Sequence, residues 1–227
     1  MTKDGVLAFL RIRAVPLLFW SAPRPLTIRP PVISVIMLAI GLALFGTGEA
    51  LLIASGAGVS PWTVLAQGLT NITGWSVGLA TFVVSVIVLL LWVPLRQTPG
   101  MGTILNIIII SVVLDLALPW LPQFESLALR VAEAAAGVVV TGIGGAIYLI
   151  ANLGPGPRDG LMTGLQRLTG FPIAWVRSAI ELSAVALGWS LGGVVGIGTL
   201  LFAFGIGPCV AMAMYCLQRA FGTARRR

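Results

Sequence analysis

The sequence predicts an all-α multi-pass membrane protein. Six transmembrane helices are expected as two inverted-topology three-helix repeats, each with a short elbow or re-entrant helix. Three observations carry this reading. Of 227 residues, 58% are hydrophobic and 9% charged, with a mean hydropathy of +1.03; a soluble domain carries about 25% charged residues. Six stretches approach the ~20 apolar residues that cross ~30 Å of hydrocarbon. A shift of 96 residues aligns the chain with itself without a gap.

Residues 1–30 read as a cytoplasmic arm, amphipathic or loose, and not as a span. Arg11, Arg13 and Pro16 break the apolar run Gly5–Trp20, and Pro23, Pro25, Pro30 and Pro31 follow. The same arginines, with no small-residue cleavage site after them, argue against a signal peptide. The spans are Val32–Ile53, Trp75–Val93, Met101–Leu118, Leu127–Ile150, Pro172–Leu191 and Ile197–Leu217. Repeat 1 is placed at 31–122, repeat 2 at 123–218, and a basic cytoplasmic tail at 219–227.

The formal charge of +7 is read as topology rather than nucleic-acid affinity, because Lys and Arg mark cytoplasmic loops. With the N-terminus inside, Lys3, Arg11, Arg13, Arg24, Arg29, Arg96, Arg158, Arg167, Arg177, Arg219 and Arg225 to Arg227 fall inside; only Arg130 falls outside. Both termini are then cytoplasmic. Trp62, Trp75, Trp92 and Trp120 fall near span ends, as an aromatic belt would.

Under the shift, Gly41, Gly46, Gly48, Gly58, Pro61, Gly68, Thr73, Gly74, Gly100, Gly102 and Thr103 land on identical residues. With Ala50, Leu65, Leu69, Leu91 and Leu95, 16 of the 63 positions from 41 to 103 match. Most are Gly, Pro and Thr, which carry backbone constraints rather than general apolarity. Three spans per copy is an odd number, so the second copy enters from the opposite face. The charges agree: loop 57–74 has none, while its counterpart 153–170 carries Arg158, Asp159 and Arg167.

Ser60-Pro61 and Gly156-Pro157 are equivalent and read as N-cap then first turn. Each opens a helix of about 12 residues, too short to cross. These elbows either lie at the interface, the more ordinary arrangement, or dip in from opposite faces. In the second case their positive N-terminal ends share a midplane site.

The candidate substrate- or ion-binding residues are Glu49, Pro61, Trp62, Thr63, Asn106, Pro157, Arg158 and Asp159. Glu49 lies deep in the first span, where an acid is costly and marks function by default; a protonated, hydrogen-bonded core acid is its bland reading. Arg158-Asp159 read either as a substrate- or proton-handling pair at the cytoplasmic mouth, or as a positive-inside anchor beside a helix-capping acid. The first copy has Trp62-Thr63 there, so the fold does not demand the pair. Arg177 and Glu181, spaced i, i+4, read as a structural ion pair, as do Arg130 and Glu133. Asp115 is placed near the outer end of the third span. Asn106 bridges helices in its bland reading.

The stretch Gly154-Pro-Gly-Pro-Arg-Asp-Gly-Leu-Met-Thr-Gly-Leu165 resembles the YczE/YyaS/YitT family of bacterial membrane proteins, nearest to its YczE branch. Gly41-Leu-Ala-Leu-Phe-Gly46, Ser60-Pro-Trp-Thr-Val64, Pro99-Gly-Met-Gly-Thr103 and Gly205-Ile-Gly-Pro208 support it over about residues 35–215. The resemblance implies a multi-pass plasma-membrane protein and no catalytic residue. Such members are commonly described with five spans, against the six read here.

There is no His, and Cys209 and Cys216 are only two cysteines. Zinc sites and imidazole-based triads are thereby excluded. No cofactor or metal is expected, and no enzyme, because Glu49 and Asp159 lie in different copies and at different depths. The leading expectation is a small secondary transporter or exporter working by alternating access between the repeats. A non-transporting accessory protein of a biosynthetic or secretion complex is the rival. The expected partners are the lipid bilayer and an unidentified small molecule or ion; a homodimer is allowed and nucleic acid is not expected.

Overall fold

The computed structural model describes residues 15–222. They form α1 (Val32–Ser55), α2 (Pro61–Thr73), α3 (Val77–Leu90), α4 (Met101–Ala117, continued by a 3-10 turn Leu118–Trp120), α5 (Leu127–Ala151), α6 (Pro157–Thr169), α7 (Ile173–Ser190) and α8 (Ile197–Phe221). There is no strand among the described residues.

The helix boundaries repeat with the sequence. A shift of 96 carries α2 onto α6 at both ends, the end of α1 onto that of α5, and the starts of α3 and α4 onto those of α7 and α8. The reason is local. Pro61 and Pro157 sit at the first helical position, where a missing N–H costs nothing. Gly74 and Gly170 stop both helices at φ +73° and +72°, a left-handed conformation that is unstrained for glycine.

The core is an antiparallel crossing of α1 and α5 with glycine on both sides. A Cβ built on Gly41 would lie 2.9 Å from the Gly144 carbonyl oxygen, and one on Gly144 would lie 2.6 Å from that of Gly41. Gly48 and Gly137 repeat this at 2.7 and 2.8 Å. The shift maps Gly41 to Gly137 and Gly48 to Gly144, so one contact is the image of the other. Each helix end then docks on the other half. Gly102 N–H donates to the Leu153 carbonyl at 2.7 Å, and at the opposite end Gly198 N–H donates to the Ala57 carbonyl at 2.8 Å.

Four helices, α1, α4 with its turn, α5 and α8, are each long and apolar enough to cross a membrane. A fifth span is reached when α2 and α3, bent by 114°, count as one. The six expected spans are therefore four to five by length and composition. Two of them fall short for separate reasons. At 14 residues α3 measures about 21 Å, because Leu91–Arg96 leave the helix as a turn. In α7, Arg177 and Glu181 dilute the apolar run.

Several expectations need correction. The arm is not loose over residues 15–22: Leu18 and Trp20 are buried, Ala22 N–H donates to the Ala151 carbonyl, and Asn152 Nδ2 donates back to Ala22. Residues 1–14 and 223–227 lie outside the described residues. Helix α8 continues through Arg219 to Phe221. Arg130 does not pair with Glu133. Its Nε donates to the Ser55 carbonyl at 2.7 Å and its Nη2 to that of Gly56, capping the C-terminal end of α1, where carbonyls lack helical partners. Both Glu133 carboxylate oxygens are buried without a hydrogen-bond partner. Trp75 and Trp120 are exposed as a belt requires, but Trp92 is buried and Trp62 faces a cavity.

The packing of the two halves differs most plainly at one helix pair. Helix α3 lies along α4, while α7 stands away from α8. Side chains explain it. Asp115 on α4 accepts from Ser76 Oγ at 2.6 Å and from Gly78 N–H at 2.8 Å, fastening the N-terminal turn of α3. A Cβ on Gly78 would collide with the Ser111 carbonyl and the Asp115 carboxylate. The equivalent positions in the second half hold Pro172, Ala174 and Ala211, which offer neither the clamp nor the clearance.

Two stability outcomes follow. Gly48→Ala forces a methyl against the α5 backbone and is expected to cost on the order of 1–3 kcal/mol, whereas Gly207→Ala, with nothing within 4 Å of its Cβ, is expected to be neutral or slightly stabilising. Reversible unfolding in mixed micelles compares the pair. Arg130→Met keeps the aliphatic stem but uncaps α1, with an expected loss of about 1–3 kcal/mol in the same assay; an unchanged midpoint would remove the capping role.

Candidate functional site

The two short helices point inward. Pro61 and Pro157 are buried, while both C-terminal ends, 71–74 and 168–170, are exposed. Their N-terminal turns reach one cavity of about 60 Å³, bounded by α1, α2, α3, α4 and the start of α6. Both N-terminal turns thus face the interior of the helix bundle.

Glu49 is the acid of this cavity. It is 2% exposed. Its Oε2 accepts from Ser60 Oγ at 2.8 Å and Thr63 Oγ1 at 2.6 Å, so the N-cap and first turn of α2 supply the two donors. Its Oε1 is buried with no partner, as are Trp62 Nε1 and Thr81 Oγ1 in the same lining.

Arg158 is the cation of this cavity. Its guanidinium lies 5.3 Å from the centre of the Phe45 ring, about halfway along α1. A cation over an aromatic face gains from the ring quadrupole. Among the described residues the one ion pair is Arg177–Glu181 at 2.8 Å, so Arg158 and Glu49 line the same space without touching.

A second cleft of about 350 Å³ adjoins the first and shares Phe45, Asn106 and Arg158 with it. It lies where α7 stands off α8. Asp159 lines it and accepts from Tyr148 Oη at 2.8 Å. Arg177 and Glu181 line it as well, so the predicted pair forms but faces the cleft. The two spaces correspond under the repeat: Thr81 and Ser85 of the cavity map onto Arg177 and Glu181 of the cleft, and Glu49 maps onto Gly145.

Position of the α6 turn depends on Trp92. Its Nε1 donates to the Pro157 carbonyl at 2.8 Å, and any Cβ on Gly160 would overlap its ring. The image of this contact, Gly188 against Val64, swaps large for small. Thus the structure gathers Glu49, Trp62, Thr63, Asn106, Pro157 and Arg158 around one cavity, with Pro61 opening the α2 turn beside it and Asp159 next door. Sequence reasoning missed Thr81, Ser85, Phe45, Tyr148 and Trp92. Mapping Arg177 and Glu181 back through the repeat would have found Thr81 and Ser85. No group of three or more acidic or cysteine side chains that could hold a metal occurs among the described residues.

Comparison with known proteins places the chain among membrane proteins. Residues 32–215 match a family described as a family of unknown function, DUF6198. An uncharacterised protein of Haemophilus influenzae is 39% identical over 209 residues, covering 92% of this chain and 95% of its own. The Bacillus subtilis membrane protein YczE is 33% identical over 169 residues, covering 74% and 76%. YyaS of the same organism is 30% identical over 195 residues, covering 83% and 96%. No solved structure matches. With most of its length matched by the family and by these relatives, the chain belongs to the DUF6198, YczE-type family of membrane proteins.

Proposed function

We propose that this protein is a small secondary transporter in which two inverted three-helix repeats alternate access to a central site. The carrying observation is the cavity into which both short helices aim their N-terminal turns, one from each half. Broken helices with positive ends at a shared midplane site are how several transporter folds hold a substrate. In this reading α3 and α7 each complete a crossing with the preceding short helix, six helical passages in all, and the termini are cytoplasmic in a plasma membrane.

The unequal packing supports the same reading. Equivalent helix pairs adopt two different relations, α3 closed on α4 and α7 open from α8. If the halves exchange these relations, the central site faces one side and then the other. Asp115 biases the equilibrium towards the observed state, because its clamp exists only in the first half.

Spin labels at Trp175 on α7 and Met212 on α8, in a background with Cys209 and Cys216 replaced, read the open gap by electron–electron distance measurement. Two distance populations are expected, with the shorter one gaining weight in Asp115→Asn, which weakens the clamp and shifts the population. A single narrow distance, unmoved by Asp115→Asn, would sink alternating access and favour a static accessory protein.

A further inference from the structure

The geometry points to a small zwitterion as the ligand of the central site, its ammonium held at Glu49 and its anionic group at Arg158. This names the substrate class of the transport reading and rests on it for turnover; binding itself is read separately.

Two charges of opposite sign line one cavity without pairing. An unpaired charged side chain at membrane depth is costly and is a functional candidate by default; here Glu49 is buried and Arg158 half-buried beside the same space. A simple anion would satisfy Arg158 but meet Glu49 in the same space. A simple cation would satisfy Glu49 but meet Arg158. A molecule carrying both groups satisfies both and adds no net charge.

The hydrogen-bonding capacity is graded the same way. Glu49 Oε1 lacks a donor and is buried. An ammonium supplies that donor. Trp62 Nε1–H is buried without an acceptor, and half-buried Arg158, in the first turn of α6 where N–H groups favour negative charge, forms no ion pair. The fold does not require either charge, since their repeat equivalents are Gly145 and Trp62. The cavity alone is small, but the adjoining cleft of about 350 Å³ lets the ligand body extend past Arg158.

The test uses the full-length protein in detergent and four ω-amino acids of increasing charge separation: glycine, β-alanine, 4-aminobutyrate and 6-aminohexanoate. Propylamine and propionate are the singly charged controls. Any ligand bound by the folded state alone raises the melting temperature. At least one amino acid is expected to stabilise the wild type while both controls do not. Glu49→Gln, which keeps an acceptor for Ser60 and Thr63, and Arg158→Gln are each expected to weaken that binding roughly tenfold or more. Stabilisation by propylamine or propionate to the same extent overturns the proposal, and so does a wild type that no probe stabilises. Folded variants that bind as the wild type does overturn it too. If a variant fails to fold, the wild-type comparison of zwitterion with singly charged probes still decides. Uptake of the radiolabelled amino acid into proteoliposomes separates the two readings: binding without uptake ends the transport reading and leaves the zwitterion site standing.

Discussion

The antiparallel contact of α1 with α5 is the constraint on which the rest depends. At Gly41, Gly48, Gly137 and Gly144 a side-chain carbon would lie within 3 Å of the opposite backbone. Helices that approach this closely gain dispersion contact along their whole length, which matters in a bilayer, where lipid tails are as apolar as leucine. The contact is its own image under the 96-residue shift. It therefore sends the C-terminal ends of α1 and α5 to opposite ends of the bundle. From there each chain turns back and starts a short helix inside. Without that crossing the two inner turns would have no reason to meet.

Departures from symmetry are confined to a few side chains, and they act together. Asp115 with Ser76 and Gly78 closes one pair of helices; Ala211, Pro172 and Ala174 leave the other open. Trp92 against Gly160 fills a space that Val64 against Gly188 fills with the bulk on the opposite partner. The backbone is thus duplicated while the chemistry is not. Glu49 belongs to one half and Arg158 to the other, and the shared frame places them around one cavity.

This division also explains what was legible in the sequence. Backbone rules repeat, so glycine, proline and threonine revealed the duplication, and Pro61, Gly74, Pro157 and Gly170 gave the bounds of both short helices. Glu49 and Arg158 stood out because charge in an apolar context is rare. What was hidden were choices made between helices far apart in sequence. Spacing suggested Arg130 with Glu133, yet the carbonyls ending α1, some 75 residues away, capture the guanidinium. Its sequence position places Asp115 only near the outer end of the third span, yet it fastens α3 from 37 residues away. Thr81 and Ser85 carry no charge and drew no notice until the cavity placed them opposite Glu49. The six-span count depended on lengths that a turn at Leu91–Arg96 and a polar pair in α7 reduce.

The arrangement of Glu49 and Arg158 is costly in a way that packing alone does not justify. Each could have been relieved cheaply by one mutation toward its repeat equivalent, since the second half folds with Gly145 and the first with Trp62. Nor do the two relieve each other, because both line the cavity yet form no ion pair. Partial compensation is present instead. Two hydroxyls from α2 hold one carboxylate oxygen and leave the other bare; the Phe45 face steadies the guanidinium but takes none of its N–H groups. That is the pattern of a site held in shape while its remaining valences stay open. A closed structural network would have every member satisfied, because a half-satisfied buried network is worse than an apolar core. The open valences are of opposite sign and face one space, which is the arrangement the zwitterion proposal rests on.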